Sequence, residues 1–386
     1  MEPVAAPLGG TCDRAFAAVE QAFADNFALR GELGGAVCVV VDGRTVCDLW
    51  GGWRDEARAR PWAPETLVNL FSVGKGLASA CVARLVGTSD LDPDAAVARL
   101  WPEFAAGGKG AITLRQVLSH QAGLPAVRRR LPPGAMLDHD VMARALAAEE
   151  PWWPPGSAHG YHVNTWGFLV GELVRRTTGR TLGAVLASDL AGPLGADVHL
   201  GLPAREHHRV ADFPWPGEVA PEEEPPGLDE HGLMVHNTYF NPSGLSGAGV
   251  LGSSAWRSAE SPSTNAHGTA RGVARVYELL AAGGRLGDDR VIDSGALAAA
   301  TTEQVDGPDL VLGRPSRFGL GFQLPRPERP FGPNPGAFGH FGAGGSLGFC
   351  DPEAGVAFGY VMNEMGPRWQ NPRNRALLDA VYASLA

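Results

Sequence analysis

Lysine is almost missing from this chain. Of its 32 basic residues only Lys75 and Lys109 are lysines, and the others are arginines. An arginine keeps its proton in a protein, whereas a lysine that is removed from water can give its proton up. Each of the two lysines is therefore a candidate for chemistry that arginine cannot perform.

Positive charge and long apolar segments are also lacking. The formal net charge is −10, which argues against non-specific binding to nucleic acids or to anionic membranes. No apolar run approaches the roughly 18 residues that a membrane-spanning helix needs. The first residues show no basic region followed by an apolar stretch, so no secretory signal is indicated and we expect a cytoplasmic protein.

Motifs for disulfides and metal sites are missing as well. The chain has 11 histidines but no His-Glu-x-x-His and no Cys/His pairing, so we expect no metal site. The cysteines are odd in number and widely spaced, without a Cys-x-x-Cys pair, which indicates reduced thiols. They are Cys12, Cys38, Cys47, Cys81 and Cys350.

Strand patterns lie near the two ends of the chain. Two apolar runs around an Asp-Gly turn predict a hairpin over 36–52. A final helix is predicted over 372–385. Further strands are predicted at 318–324, 337–345, 346–351 and 355–363. Strands from the two ends could share one antiparallel sheet.

Helical patterns dominate the middle. They predict helices over 113–124, 140–150, 164–179 and 181–195, besides those at 12–30, 72–86 and 267–284. Residues 203–266 show no clear periodicity, and we expect short helices or lid-like loops there. Their acidic, proline-rich part, 214–227, indicates a surface loop.

The expected fold class is α/β, of the α+β kind. It comprises an antiparallel sheet flanked by helices, with a mostly helical lobe inserted between the two halves of the sheet. We predict a discontinuous sheet domain from residues 1–86 and 267–386, and a helical lobe with long loops from residues 87–266. A functional site is expected in the cleft between them.

A serine and a lysine stand three residues apart in the apolar segment 69–80. Residues at this spacing lie on one face of a helix, so the Lys75 amine could reach the Ser72 hydroxyl. Burial lowers the pKa of a lysine, which would let Lys75 activate the weak nucleophile Ser72. A capping serine beside a surface lysine would show the same spacing, so this motif alone leaves both interpretations open.

Two further motifs follow in order along the chain. Tyr161 lies in a glycine-bounded loop before a helix, and His340-Phe341-Gly342 lies in a glycine-rich strand. Together with Ser72-x-x-Lys75, this order resembles the penicillin-recognising serine hydrolases, and within them the class C β-lactamase-like carboxylesterases of family VIII. Similar stretches are LWGGW at 49–53, ITLRQVLSHQAGLP at 112–125 and GHFGAGGSLGF at 339–349, and the resemblance runs from near Ala15 to the C-terminus.

The resemblance implies a β-lactamase/transpeptidase-like fold and a role for each matching residue. Ser72 would be the acylated nucleophile and Lys75 its base or the partner of that base. Tyr161 would be a second proton carrier, which Lys75 would help to hold as a phenolate. The backbone N–H groups of Ser72 and Ala343 would form an oxyanion hole.

Two positions depart from the β-lactamase pattern. His340 and Gly342 stand in the place of Lys-Thr-Gly, and a histidine carries full positive charge only at lower pH. Where Tyr-x-Asn is found, the second residue after Tyr161 is Val163, and Asn164 comes one position later. Both departures favour neutral esters over β-lactams, and His340, Gly342 and Asn164 are the candidates for substrate binding.

Three other residues complete the set. Trp153 is a candidate wall of an apolar pocket and His267 a candidate for lining the cleft, although core packing and helix capping would explain them equally well. The sequence at 344–348 fits Gly-x-Ser-x-Gly, but strands rather than a strand-to-helix turn surround Ser346. We therefore predict a structural role for Ser346 and most activity retained when it is truncated to alanine.

The predicted function is that of a serine hydrolase that cleaves small carboxylic esters through a Ser72 acyl-enzyme, without a cofactor. The expected partner is a small-molecule ester, with no nucleic acid and no membrane, and the oligomeric state stays open. An acyltransferase or transesterase on the same site in a biosynthetic pathway is the first alternative, followed by an amidase or β-lactamase. An inactive binding protein on this scaffold is the alternative without catalysis.

Overall fold

A computed structural model describes residues 6–88, 91–215 and 225–386. Most of the acidic segment 214–227, predicted as a surface loop, therefore lies outside the described residues. The strands are β1 Leu8–Cys12, β2 Gly34–Val41, β3 Arg44–Gly52, β4 Val68–Asn69, β5 Val198–His199, β6 His267–Gly268, β7 Arg285–Leu286, β8 Asp289–Arg290, β9 Val305–Pro308, β10 Pro315–Phe318, β11 Phe338–Phe341, β12 Leu347–Asp351 and β13 Val356–Met362.

The helices connect and cover these strands. They are α1 Ala17–Leu29, α2 Val73–Val86, α3 Leu114–Leu118, α4 His139–Ala148, α5 Thr165–Thr178, α6 Leu182–Val185, α7 Gly192–Leu194, α8 Glu230–Phe240, α9 Ser254–Ser258, α10 Ala270–Ala281, α11 Ser294–Thr301 and α12 Pro372–Leu385. A π-helical turn, Leu186–Ala191, joins α6 to α7, so the pattern at 181–195 forms one continuous helical segment.

The central sheet unites the two ends of the chain. Its six strands lie in the order β1-β3-β2-β13-β12-β11 within the described residues, and every neighbouring pair is antiparallel. Asp42 and Gly43 both have positive φ, 48° and 75°, as a two-residue hairpin turn requires. The predicted hairpin and the predicted class, an antiparallel sheet flanked by helices, are confirmed.

Helices cover both faces of this sheet. α1 and α12 pack against each other on one face, where Phe23 of α1 and Val381 of α12 share an apolar cluster with Val37 and Phe358 of the strands. α10 packs on the opposite face, against β13, β12 and β2. α2 lies next to α10 and β11, and nearly all of its side chains are buried. The helix that carries the serine–lysine pair is therefore a core helix.

Two of the predicted strands are shorter than their patterns indicate. The sequence predicts a strand over 318–324, but β10 ends at Phe318 and the chain turns back. Gly321 has φ of +88° there, a conformation that glycine adopts without steric cost. The strand predicted over 337–345 ends at Phe341, and a single 3-10 turn follows at Ala343–Gly345. Glycine-rich segments thus form turns here rather than strand.

The structure also contains a helix, α8, within the region 203–266 that lacks periodicity. Asp229 caps its first turn through its side chain. Glycine, asparagine and β-branched residues lower the helix propensity of this segment, so its stability depends on packing. Met234 supplies that packing by contact with Trp153 and Val311. The prediction of short helices in this region is confirmed, although their positions were not predicted.

Two further predictions concern membrane-spanning helices and the division of the chain into domains. No helix among the described residues is long and apolar enough to span a bilayer. The division into a sheet domain from 1–86 and 267–386 and a helical lobe from 87–266 stays a prediction, although the sheet does draw its strands from both ends of the chain.

Candidate active site

Ser72 stands at the N-terminal end of α2, in a constrained stretch of backbone. The preceding residue, Phe71, has φ of +48°, an uncommon conformation for a large side chain. Ser72 itself is the N-cap residue of α2, and its side chain makes no capping hydrogen bond. Its hydroxyl is therefore not used to stabilise the helix, although the residue is only 7% exposed.

Lys75 lies one turn further along α2 and is completely buried. Its Nζ donates hydrogen bonds to the carbonyls of Val163, at 2.6 Å, and Ser263, at 3.3 Å. In the described ranges no carboxylate forms an ion pair with it. Burial lowers the pKa of Lys75 well below its usual range, because nothing nearby offsets the cost of removing its charge from water. A neutral amine has two N–H groups for these two carbonyls and keeps its lone pair free to accept a proton.

Tyr161 lies against both of these residues. The Ser72 side chain acts on the pKa of its hydroxyl as a hydrogen-bonding neighbour, and the Lys75 Nζ lies 4.6 Å from the centroid of its ring. The ring stacks on Phe318 at 5.6 Å and meets Trp369 edge-on at 5.2 Å. The structure thus brings Ser72, Lys75 and Tyr161 together, as the sequence predicts.

The protonation state expected for Tyr161 needs correction. The resemblance implies that Lys75 helps to hold Tyr161 as a phenolate. Burial instead raises the pKa of Tyr161, and the hydrogen bond from Ser72 opposes this effect only in part. A neutral Lys75 supplies no cation that would stabilise the phenolate. Tyr161 is therefore a neutral phenol, able to donate a proton rather than to remove one.

His340 on β11 faces Tyr161 as a neutral ring. Its Nδ1 lies 2.8 Å from the carbonyl oxygen of Phe341, which assigns a proton to Nδ1, and its Nε2 lies 3.5 Å from the Tyr161 hydroxyl. Burial lowers the pKa of His340 to about 3. Position 340 therefore offers the substrate no cation near neutral pH.

The end of β11 approaches the segment before Ser72 very closely. The Gly342 N–H donates to the carbonyl of Ser346 at 2.7 Å, and the Ser346 hydroxyl donates to the carbonyl of Leu70 at 3.0 Å. A Cβ atom on Gly342 would lie only 2.1 Å from the Ser346 Oγ and 2.5 Å from the Leu70 oxygen. Glycine is thus required at 342 so that Ala343 can come close to the start of α2.

The two backbone groups predicted as an oxyanion hole are unused in the structure. Neither the Ser72 N–H nor the Ala343 N–H donates a hydrogen bond to any other described residue. Both belong to first-turn positions, where an N–H has no acceptor within its own helix. They are available to a developing oxyanion, and their role in catalysis stays a prediction.

Asn164 does not fit the predicted substrate-binding role. Its side-chain N–H groups donate to the Thr238 carbonyl at 2.7 Å and to the Ser246 hydroxyl at 3.0 Å. Its side-chain oxygen accepts from the Thr264 hydroxyl at 2.7 Å. Asn164 is fully buried and no N–H donor remains for a substrate carbonyl, so its role is to tie α5 to α8.

Trp153 and His267 are largely held by structural contacts. The Trp153 Nε1 donates to the Ala158 carbonyl at 3.1 Å, and the ring, 8% exposed, lies in an apolar cluster with Met234. His267 is fully buried in β6, opposite Asn69, and its Nδ1 lies 2.8 Å from the Asn265 carbonyl. These contacts account for Trp153 without a substrate. The lining role of His267 stays a prediction.

Several residues around Tyr161 were not singled out from the sequence. The Asp309 Oδ1 accepts the backbone N–H of Tyr161 at 3.0 Å and so fixes its loop. The His120 ring lies 4.8 Å from the Tyr161 ring and 4.6 Å from that of Phe318. His120 has φ of +63°, and it lies within the stretch at 112–125 that carries the resemblance. Asp309 has no comparable signal in the sequence.

Lys109, the other lysine, occupies a different kind of site. Its Nζ donates to the carbonyls of Ala106 at 2.6 Å, Ala147 at 3.1 Å and Glu149. Three carbonyl acceptors match the three N–H groups of an ammonium ion, and the group caps the end of α4. Both lysines of the chain are therefore buried amines. Of the two, only Lys75 lies beside a serine and a tyrosine.

We expect Ser346→Ala to affect stability more than catalysis. The substitution removes the hydrogen bond to Leu70, while the Leu70 carbonyl keeps the Val73 N–H as a partner at 3.3 Å. The free energy of unfolding should therefore fall by about 0.5–1.5 kcal/mol, as urea denaturation would measure, and most ester turnover should remain. A loss of turnover as large as that of a Ser72 substitution would contradict this assignment.

Several known proteins are similar to this chain in sequence and structure. A family model described as Beta-lactamase matches residues 18–383. Esterase/beta-lactamase LipL of Mycobacterium tuberculosis is 36% identical over 363 residues, which cover 92% of this chain and 83% of LipL. A penicillin-binding protein homologue from Caulobacter crescentus superposes with a TM-score of 0.90 at 42% identity, over 98% of this chain and 100% of the other.

A further solved structure, described as a family VIII carboxylesterase, superposes with a TM-score of 0.89 at 39% identity. The superposition covers 98% of this chain and 100% of that chain. These similarities confirm the predicted β-lactamase/transpeptidase-like fold, with its antiparallel sheet and flanking helices.

Proposed function

The chain belongs to the beta-lactamase family, and we propose that this serine hydrolase cleaves small carboxylic esters through an acyl-enzyme on Ser72. The similarity to a structure described as a family VIII carboxylesterase supports an ester substrate, and LipL, described as both an esterase and a beta-lactamase, is compatible with it. The neutral His340 in place of a lysine supports it as well. The central observation is the buried Lys75 amine beside Tyr161, whose hydroxyl interacts with the side chain of Ser72.

Acylation begins with proton removal from Ser72. The lone pair of neutral Lys75 accepts this proton as the Ser72 oxygen forms a bond to the ester carbonyl carbon, and the carbonyl π electrons move to its oxygen. That oxyanion accepts hydrogen bonds from the N–H groups of Ser72 and Ala343. Collapse of the tetrahedral intermediate breaks the bond to the alkoxide, which takes the proton of the Tyr161 phenol, and Lys75 returns its proton to Tyr161.

Deacylation repeats these steps with water in place of the serine. Water gives a proton to Lys75 while its oxygen bonds to the acyl carbon, and the same two N–H groups hold the second oxyanion. The Ser72 oxygen leaves and regains a proton from Tyr161, and Lys75 passes the proton taken from water to Tyr161. The products are a carboxylic acid, the alcohol and the free enzyme with its original protonation, so no other reactant is needed.

The experiment that tests this function is direct detection of the acyl-enzyme. Incubation with a p-nitrophenyl ester, rapid acid quench and peptide mass spectrometry should show one added acyl group on the peptide that contains Ser72. Addition of a primary alcohol should leave the carboxylic acid as the main product if hydrolysis dominates, and give a new ester if acyl transfer dominates. Absence of both adduct and turnover would contradict the proposal and favour a binding protein.

A further inference from the structure

Arg314 stands out among the arginines near Tyr161. It lies in the turn between β9 and β10, is half-buried, and makes no hydrogen bond or ion pair with any described residue. Its guanidinium lies 4.7 Å from the ring of Trp369, whose ring centroid is 5.2 Å from that of Tyr161. A guanidinium with five N–H donors thus faces the active site across a single aromatic ring.

The other arginines of the same shallow groove are engaged. Arg317 donates to Glu303 at 2.8 Å and to the Pro325 carbonyl at 3.0 Å. Arg326 pairs with Glu328 at 2.8 Å and with Asp306. Arg329 donates to the Pro315 carbonyl. Among the arginines that line this groove, Arg314 is the one whose N–H groups have no acceptor within the described residues.

Charged groups of both signs act on Arg314. Burial lowers the pKa of Arg314, and the charge of Arg368 acts in the same direction, whereas Asp309 opposes it. Arg329 has a pKa lowered by burial and then by the charge of Arg314. The Asp309 carboxylate accepts four hydrogen bonds, from three backbone N–H groups and the Ser316 hydroxyl. Among the described residues no hydrogen bond or ion pair joins it to Arg314, although its charge acts favourably on the guanidinium.

We propose that Arg314 binds a carboxylate carried by the substrate, so that the preferred esters are anionic. This inference rests on the proposed function and deepens it by naming the substrate class. It also revises the expectation of neutral esters, which followed from the missing lysine at 340. Here the cation comes from the β9–β10 turn, beside Tyr161 and Trp369, rather than from β11. Arginine binds a carboxylate through two parallel N–H···O bonds.

Two matched substrate pairs test this proposal, one for each side of the ester bond. The first pair is mono-p-nitrophenyl adipate and its methyl ester, with the extra carboxylate on the acyl side. The second pair is para-acetoxybenzoate and its methyl ester, with the carboxylate on the alcohol side. The wild-type enzyme should hydrolyse the anionic member of one pair with the higher kcat/KM, by about tenfold or more.

Arg314→Gln should remove this preference. We expect kcat/KM for the anionic member to fall about 10- to 100-fold, mainly through KM, since a carboxylate remote from the reacting carbon is bound equally in the ground and transition states. The neutral member should change by less than about threefold. Arg314→Lys should keep part of the preference, because a point charge attracts the carboxylate without bidentate geometry.

Arg317→Gln is the matched control, since Arg317 lines the same groove but already has partners. Its ratio of anionic to neutral kcat/KM should equal that of the wild type. A wild-type enzyme without preference in either pair, an unchanged ratio in Arg314→Gln, or equal loss in both variants would overturn the proposal. Turnover of the neutral esters by Arg314→Gln would show that ester hydrolysis itself does not depend on Arg314. Failure of this inference would therefore not be failure of the proposed function.

Discussion

Replacement of Ser72 by alanine should abolish ester turnover. Without the Oγ atom no acyl-enzyme can form, and removal of a catalytic nucleophile typically costs about 10,000-fold or more in kcat. The Ser72 side chain makes no capping hydrogen bond to α2, so the variant should fold and keep a thermal midpoint close to that of the wild type. Stopped assays with a p-nitrophenyl ester, corrected for spontaneous hydrolysis, would measure the loss.

Ser346→Ala is the matched control for this experiment. Ser346 is also a buried serine near the start of α2, and it occupies the centre of the Gly-x-Ser-x-Gly pattern. If Ser72→Ala retained wild-type turnover, or if the acyl adduct formed on the peptide of Ser346 instead, the proposed mechanism would be refuted. The comparison concerns turnover and the position of the acyl adduct in folded protein, so the two variants need not be equally stable.

Replacement of Lys75 by arginine should be nearly as damaging. Arginine keeps its proton under all practical conditions, so it cannot accept the proton of Ser72. Loss of a general base costs about 100- to 10,000-fold in rate. Lys75→Met removes the amine but leaves a side chain of similar length in this buried position, and it should show the same loss in a folded protein. Activity close to that of the wild type in both variants would exclude Lys75 as the base.

The pH profile gives a second measure of the same group. Burial lowers the pKa of Lys75, so the reactive neutral amine is present above that lowered pKa and is lost as the pH falls through it. kcat/KM should therefore rise with pH to a plateau. Because the pKa of His340 is lowered to about 3, this histidine should contribute no step near neutral pH. The residual kcat/KM of Lys75→Met should not show this fall at low pH.

The free energy of unfolding should also depend on pH through the protonation of Lys75. The unfolded chain holds the Lys75 proton up to a pH of about 10.4, whereas the folded protein releases it at lower pH. The unfolded state thus binds more protons between the two pKa values, and the free energy of unfolding should rise with pH in that window. Urea denaturation of the wild type and of Lys75→Met would isolate this contribution. Because burial also lowers the pKa of Lys109, the Lys75 contribution is the difference between the two proteins and not the slope of either one.

Local sequence patterns determined much of the scaffold. The Asp-Gly hairpin, the helix that starts after Ser72 and the helix that ends at Gly179 all follow from turn residues, caps and periodicity between near neighbours. The serine–lysine spacing on α2 also needs no more than helix geometry. These features depend on residues close together in the chain, which is why the sequence alone predicted them.

The protonation and hydrogen-bonding states of the site were decided by tertiary structure. Whether Tyr161 is a phenol, whether His340 is charged and whether Asn164 has a free donor depend on burial and on partners far away in the chain. The same holds for Arg314, which reaches the site only because the β9–β10 turn packs beside Trp369. Desolvation and long-range contacts exist only after folding, so no local pattern records them.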